Sequence, residues 1–150
     1  MLLVKTKICP SPIHGIGLFA DEFISKGALI WKFTPGFDLR FTREQILEFP
    51  ESIQIYLYRH SWKSNDTSLY IFSSDDARYF NHSEDANTIS VHKDGEEEII
   101  TIAARDIIKG EELTDNYFIG TNRGSDNILE EIAKKYNLLS VLDFSQKKAV

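Results

Sequence analysis

Short apolar runs separated by turn residues recur along this chain, and they most constrain the fold that it can adopt. Such runs predict strands, and they lie at residues 2–8, 18–20, 28–33, 68–73, 88–92 and 98–103. The last two flank a turn at residues 93–96 and predict a hairpin. Helical spacing is confined to residues 42–50, 51–61 and 127–142, so the pattern predicts a compact α+β domain that is mainly β.

Length and composition narrow the class of protein further. A chain of 150 residues fits one domain that buries a core without disulfides or metal. The single cysteine, Cys9, excludes an internal disulfide and multi-cysteine zinc sites, and the four histidines lack paired metal spacing, so we predict no metal. No run approaches the ~18 apolar residues of a membrane span, and the first residues lack the apolar core of a signal peptide. We therefore expect a soluble, cytoplasmic protein that makes no membrane contact, and we leave delivery to a host cell or to the nucleus open.

The charge balance bears on the kind of partner. The net charge is −6, with acidic clusters at residues 75–76, 84–85, 96–98 and 111–112. This balance disfavours nucleic acid, whose binding depends on Lys and Arg, and it would steer a lysine-rich, cationic partner. Charge alone favours the plainer interpretation that these acids are solvated loop residues.

The segment at residues 78–87 is the densest in polar chemistry. Ten positions hold an arginine, two aromatic residues, two asparagines and a histidine, which is more hydrogen-bonding capacity than a simple turn needs. One interpretation is a set of Asx and Ser turns that cap the preceding strand, with His82 as a buried histidine whose bonds are satisfied. The other is a binding loop.

Two further segments carry recognisable chemistry. In residues 14–20, Gly15 and Gly17 let the backbone turn sharply and approach a ligand closely, although alone they favour a plain tight turn. The Rossmann fingerprint is excluded, because its third glycine, following helix and distant acid are missing. In residues 110–117, a charged turn leads to a single tyrosine, Tyr117.

Together, and in this order, the three segments resemble the signature of SET-domain protein lysine methyltransferases. The resemblance covers residues 4–119 and implies that residues 1–150 form a single SET domain. The implied fold has several small curved β-sheets with a knot-like threading of the carboxyl-terminal motif, a short helical insertion at residues 37–65 and a helical segment at residues 125–142. That last segment is expected to cover part of the cofactor site or of the lysine channel.

The resemblance also implies a cofactor and its contacts. S-adenosylmethionine would bind, leaving S-adenosylhomocysteine after transfer of its methyl group to a lysine of a substrate, which is expected to be a basic protein or peptide. Tyr117 would be the catalytic residue. The cofactor contacts implied by the matching motifs are His14, Gly15, Ile16, Gly17, Arg78, Asn81, His82 and Tyr117.

The chain departs from the family pattern at the lysine channel. Asp115 occupies a position that is usually aromatic, where it would bind an ammonium or raise the pKa of the substrate lysine and so oppose catalysis. The family's second tyrosine is replaced near Phe33, which leaves its role to Tyr70 or Trp31. We therefore carry an alternative, a SET-like module that binds cofactor or a lysine-containing peptide with weak or no turnover. A third is a regulatory protein that binds cofactor without a peptide substrate. The oligomeric state is not predicted.

Overall fold

Three small sheets and three helices make up the fold in the computed structural model, which describes residues 1–119 and 127–138. The first sheet contains β1 (Thr6–Pro10), β2 (Ile16–Ala20), β7 (Asn81–His82) and β10 (Glu112–Asp115). Its strand order is β1-β2-β10-β7, so the sheet joins the amino-terminal hairpin to a strand that comes about a hundred residues later. Strand β1 lies at the edge of this sheet.

A second sheet has the order β3-β9-β8 and contains β3 (Leu29–Trp31), β8 (Thr88–Val91) and β9 (Ile100–Ala103). Strands β8 and β9 pair antiparallel from Thr88 opposite Ala103 to Val91 opposite Ile100. The predicted hairpin is therefore confirmed. Gly95 in its turn has a φ of +85°, which a glycine adopts without strain.

The third sheet and two helices form the inserted region. Helix α1 (Arg43–Glu48) begins with a capping box in which Thr42 and Gln45 exchange side-chain and backbone bonds, as the sequence predicts. Helix α2 (Glu51–His60) follows directly after Pro50. The insertion also contains β4 (Leu39–Phe41) and β5 (Ser61–Lys63), which flank β6 (Tyr70–Phe72). These two strands were not predicted, because three residues are too few to show an alternating pattern.

Helix α3 (Ile128–Lys135) closes the described part of the chain. Asn127 caps it by accepting a hydrogen bond from the backbone N–H of Leu129. The helix ends earlier than the predicted residue 142, and residues 139–142 lie outside the described part. Its apolar face packs on α2 and β6 in one hydrophobic cluster. The buried members of this cluster are Ile46, Leu57, Tyr70, Phe72, Ile128, Leu129 and Ile132.

Two other apolar clusters hold the sheets together. One lies under the first sheet and includes Leu18, Ile24, Ile107 and Leu113, all 2% exposed or less. The other joins Trp31, Phe33, Ile71 and Ala77. Among the described residues, no helix has the length and apolarity needed to cross a membrane. Nor does the described part contain a group of three or more His, Cys, Asp or Glu side chains arranged to hold a metal ion.

Candidate functional site

A short parallel pairing brings the two polar motifs of the chain side by side. In it, Thr114 of β10 lies opposite Asn81 of β7, and Asp115 lies opposite His82. The backbone N–H of Ser83 extends the pairing by donating to the carbonyl of Asp115 over 3.1 Å. Residues 78–87 and 110–117 are therefore neighbours in space, as the family resemblance implies.

Asn81 links this pair of strands to the glycine loop. Its side-chain N–H group donates to the carbonyl oxygens of His14 (3.1 Å) and Ile16 (3.2 Å). It also lies 2.8 Å from Oε1 of Glu112. The amide donor of Asn81 is thus used within the protein, and among the described residues no hydrogen bond is made to its Oδ1. A ligand that contacts this side chain would therefore meet an acceptor.

Glu112 is a functional candidate that the sequence analysis missed. Its carboxylate accepts hydrogen bonds from the Ser11 hydroxyl at 2.8 and 2.9 Å and from Asn81, so it connects β10 to both other motifs. Ser11 in turn accepts from the backbone N–H groups of Ile13 and His14. A Cβ at Gly17 would lie 2.1 Å from Glu112 Oε1, so glycine is needed there because the carboxylate occupies that space.

The expectation that the acidic clusters are solvated loop charges holds for Glu84 and Asp85, which are exposed, and is wrong for acids of the other three clusters. Besides Glu112, Glu98 is 2% exposed and accepts from Ser64 and Thr67. Asp75 accepts from the backbone N–H of Leu2 at 2.6 Å. The carboxylates therefore bind segments that are distant in sequence, which composition alone could not indicate.

The two asparagines of the 78–87 segment show that it is more than a set of local turns. Asn87 accepts from the backbone N–H of Thr114 and donates to the carbonyl of Glu112, at 2.9 and 2.8 Å. Like Asn81, it binds a distant strand, whereas local turns explain only smaller parts such as the bond from Asp85 N–H to Ser83 Oγ. The segment is therefore a connector between motifs.

His82 and Tyr117 form the centre of the site. The backbone N–H of Tyr117 donates to His82 Nδ1 over 3.2 Å, so a neutral imidazole carries its proton on Nε2. The two rings lie 5.3 Å apart between centroids, and Phe118 meets His82 edge-on at 5.0 Å. The Tyr117 hydroxyl donates to the carbonyl of Phe80. Tyr117 is thus held at both its backbone and its hydroxyl.

A cavity of about 160 Å³ lies against one side of Tyr117. The predicted residues Trp31, Arg78 and Asp115 line it together with Tyr117, whereas none of residues 14–17, 81 and 82 is among the described residues of its lining. Helix α3 contributes Leu129 and Glu130, as expected for a segment that covers a channel. Tyr117 therefore contacts His82, which does not line the cavity, and also lines the cavity itself.

Asp115 gives this cavity an unusual acid. Its Oδ1 accepts from the Asn116 backbone N–H at 2.9 Å, and its Oδ2 lies 3.4 Å from the Ser90 hydroxyl. Burial raises the pKa of the Asp115 carboxyl to about 6, although both hydrogen bonds act in the opposite direction. The group is therefore largely ionised at pH 7 and neutral at pH 5.

Two residues predicted for the lysine channel, Tyr70 and Phe33, do not line this cavity. Tyr70 is 1% exposed, and its hydroxyl accepts from the backbone N–H of Ile128, so it anchors α3. Phe33 is 9% exposed and lies under the Arg40 guanidinium, 3.9 Å from the ring centroid. Of the two candidates to replace the family's second tyrosine, Tyr70 and Trp31, it is Trp31 that lines the cavity.

The protein is mainly β, and loops between its strands build the candidate site. Comparison with known proteins identifies its family. The SET domain model matches residues 15–118. The chain therefore belongs to the SET-domain family, as the sequence motifs predict. In sequence, it is 32% identical over 114 residues to the human histone-lysine N-methyltransferase 2B, which covers 71% of this chain. The chain spans only 4% of the length of that human protein.

Solved structures confirm the fold class. A Plasmodium falciparum crystal structure, solved as a candidate histone methyltransferase, matches 84% of this chain and all of its own chain with a TM-score of 0.56 and 19% identity. The Polycomb Repressive Complex 2 of Chaetomium thermophilum, in an autoinhibited conformation bound to S-adenosylmethionine, matches 89% of this chain with a TM-score of 0.60 and 20% identity. This chain spans 17% of that larger one. At such identities the likeness establishes the fold.

Proposed function

We propose that this protein is an S-adenosylmethionine-dependent methyltransferase that acts on a protein lysine side chain. The observation that carries the proposal is that Tyr117 contacts two groups of residues, through His82 and through the cavity that it lines. One group is the glycine loop, Asn81 and His82. The other lines the cavity and includes Trp31, Arg78 and Asp115. A methyl donor and an acceptor amine need such a pair of sites, joined at one point.

The residues on the glycine-loop side fit the cofactor. Gly15 has a φ of +52° and no atom within 4 Å of where a Cβ would lie, so the loop leaves room at its surface. Asn81 Oδ1 is an acceptor for a donor group, and the ring faces of His82 and Tyr117 can lie against a cationic group with a gain of about 0.5–2 kcal/mol. When bound, S-adenosylmethionine supplies a methyl group on a positively charged sulfur.

The cavity side fits a lysine side chain. Methyl transfer needs a neutral amine, and holding a lysine of pKa ~10.4 neutral at pH 7 costs roughly 4–5 kcal/mol. Burial between Trp31 and Tyr117 lowers the pKa of the lysine through desolvation, and a neighbouring positive sulfur lowers it further. Tyr117 orients the amine, since its own ring is held by His82 and Phe80. We propose a basic protein as the source of this lysine, in keeping with the net charge of −6.

Asp115 supports a second candidate function. An ionised carboxylate in the same cavity stabilises an ammonium and raises the pKa of the lysine, which opposes transfer. A module that binds cofactor and a lysine-containing peptide with slow turnover is therefore the alternative.

Calorimetry and radiolabelled methyl transfer separate these functions. We expect S-adenosylmethionine to bind, and labelled methyl to reach lysines of histone-like or ribosomal protein mixtures. In Tyr117→Phe, kcat should fall on the order of 100-fold because the amine is no longer positioned, with cofactor affinity little changed. Tyr136→Phe, which removes a hydroxyl bonded to Gln54 on α2, is the matched control.

Each outcome has a meaning. Binding without transfer by the wild-type protein favours the binding module. Full activity of Tyr117→Phe contradicts the catalytic assignment, and absence of cofactor binding contradicts both functions.

A further inference from the structure

The cavity beside Tyr117 collects buried polar atoms that have no partner. Five buried side-chain nitrogen or oxygen atoms lack a hydrogen bond within the described part of the chain. Four of the five belong to residues that line this cavity: Trp31 Nε1, His60 Nδ1, Ser61 Oγ and Arg78 Nε. The fifth, Arg40 Nε, lies 3.6 Å from a carboxylate oxygen of Glu98. The unpartnered atoms are thus concentrated at one place.

These residues come from four parts of the chain: β3, the end of α2, the start of β5 and a short 3₁₀ helix at Asp76–Tyr79. Trp31 of β3 belongs to the same apolar cluster as Ala77, and Arg78 is the next residue along the chain. His60, at the end of α2, lies with its ring 5.7 Å from that of Tyr79, over which the Arg78 guanidinium also lies at 5.2 Å. Ser61 follows His60 directly. The four residues therefore surround the same region of the cavity.

The chemistry of this group points to an acceptor. The indole N–H of Trp31 and the Nε–H of Arg78 can only donate, and a buried donor left without an acceptor destabilises the folded protein. Trp31 is 4% exposed, so its N–H is shielded from bulk solvent outside the cavity. A ligand that brings an acceptor oxygen would remove this destabilisation for both groups.

The charge of Arg78 favours an anionic acceptor. Its Nη1 donates to the Ser74 carbonyl at 3.3 Å, and no carboxylate of the described residues lies within 4 Å of the guanidinium. Burial lowers the pKa of His60, so this neighbour is neutral at pH 7 and adds no second charge. Tyr79 bonds the Arg78 side chain, and Asp76 attracts it from beyond 4 Å. A carboxylate offers two acceptor oxygens and a negative charge closer to the guanidinium than that of Asp76.

We propose that Arg78 and Trp31 bind a carboxylate of the substrate, located close to the lysine whose amine reaches Asp115 and Tyr117. The proposal rests on the proposed function, because it takes the cavity as the lysine side of the site. The cavity then presents donors to the carboxylate and an acid, Asp115, to the amine. The carboxylate comes either from an acidic residue next to the lysine or from the terminal carboxylate of the lysine itself.

The indole N–H signals of the protein test this directly by nuclear magnetic resonance. The chain has two tryptophans, so two signals are expected, and Trp62→Phe assigns them. We would titrate Nα-acetyl-lysine, its C-terminal amide, which lacks the carboxylate, and the C-terminal amide of an acetylated Glu-Lys dipeptide. A carboxylate-bearing probe should shift the Trp31 signal, and it should bind about tenfold or more tightly than the lysine amide, as expected for a charge-assisted hydrogen bond.

Variants identify the partner of the carboxylate. Arg78→Gln should remove the preference for a carboxylate, and Arg78→Lys should retain part of it because the charge stays. Arg105→Gln, whose guanidinium pairs with Glu111 at the surface, should bind all probes as the wild type does. Near-ultraviolet circular dichroism checks that each variant is folded.

The outcomes are distinct from those of the proposed function, since no cofactor or turnover is needed. A shift by acetyl-lysine alone identifies a terminal lysine, and a shift by the Glu-Lys amide identifies an acidic neighbour. Equal binding of probes with and without a carboxylate, no shift by any probe, or an unchanged preference in Arg78→Gln overturns the proposal.

Discussion

At the scale of single residues, the contact between Gly17 and Glu112 shows how the glycine loop is built. The φ of Gly17 is not in the left-handed region, so its backbone would accept other residues. The constraint comes from a carboxylate that also binds Ser11 and Asn81. The glycine at position 17 is therefore explained by the space that Glu112 occupies, and not by the backbone conformation of a turn.

This contact predicts a non-additive pair of substitutions. Gly17→Ala should lower the free energy of unfolding by about 1–3 kcal/mol, because the Glu112 side chain must move and lose its bonds. In a Glu112→Ala background, the same substitution should cost less, since the clashing oxygen is absent. Urea unfolding of the four proteins measures the coupling. Gly95→Ala, which has open space but a φ of +85°, is the control and should be additive with Glu112→Ala.

Asp115 makes a second prediction at this scale, on pH dependence. Its folded pKa of about 6 lies above the unfolded value of 3.8, so its stabilising contribution is complete below pH 3.8 and is lost as pH rises through about 6. The difference corresponds to about 3 kcal/mol at pH 7. Asp115→Asn should therefore be more stable than the wild type at pH 7.5 and nearly equal at pH 4. Equal unfolding midpoints in urea at both pH values would contradict it.

At the scale of elements, α3 is attached to the inserted region by polar as well as apolar contacts. Arg43 of α1 makes a two-point ion pair with Glu131 at 2.8 and 2.7 Å. Tyr70 of β6 accepts from the first buried N–H of the helix. Because α3 also lines the cavity, the position of this helix and the shape of the cavity depend on each other.

Removing the Tyr70 hydroxyl tests the attachment. Tyr70→Phe leaves the N–H of Ile128, a residue 1% exposed, without its acceptor, and should lower the free energy of unfolding by about 1–3 kcal/mol. Hydrogen exchange in α3 should rise with it. Tyr136→Phe breaks a hydroxyl bond to Gln54 at a half-buried position and should cost less. An equal or larger effect of Tyr136→Phe would argue against this account.

At the scale of the whole molecule, charge sets the long-range part of substrate binding. A net charge of −6 attracts a basic protein over distances comparable to the Debye length, which is about 10 Å at 0.1 M salt. The carboxylate inferred for the cavity acts only at short range, so the two effects are compatible.

The dependence of the kinetics on salt concentration therefore distinguishes the long-range attraction from the short-range contacts. Raising the ionic strength from about 0.05 to 0.5 M should increase KM for a basic protein substrate while leaving kcat little changed, because screening weakens encounter and not the buried contacts. S-adenosylmethionine affinity, measured by calorimetry in the same buffers, is the control for general effects of salt on the protein. A fall in kcat with constant KM would contradict the prediction.

Local patterns in the sequence determined the elements that depend on neighbouring residues. The capping box at Thr42, the hairpin of β8 and β9, and the apolar face of α3 were all predictable, because hydrogen bonds and periodicity link residues only a few positions apart. The three motifs also identified the family and the region of the candidate site, since their residue types and order are distinctive.

Tertiary structure alone decided what these residues contact. The bond from Asn81 to His14 spans 67 positions and that from Ser11 to Glu112 spans 101, so no local pattern could reveal them. The same holds for the contacts of Tyr117 with His82 and with the cavity, and for the placement of Tyr70 under α3 instead of in the cavity lining. Which side chains share a cavity depends on how distant strands are packed, and packing is a property of the folded chain as a whole.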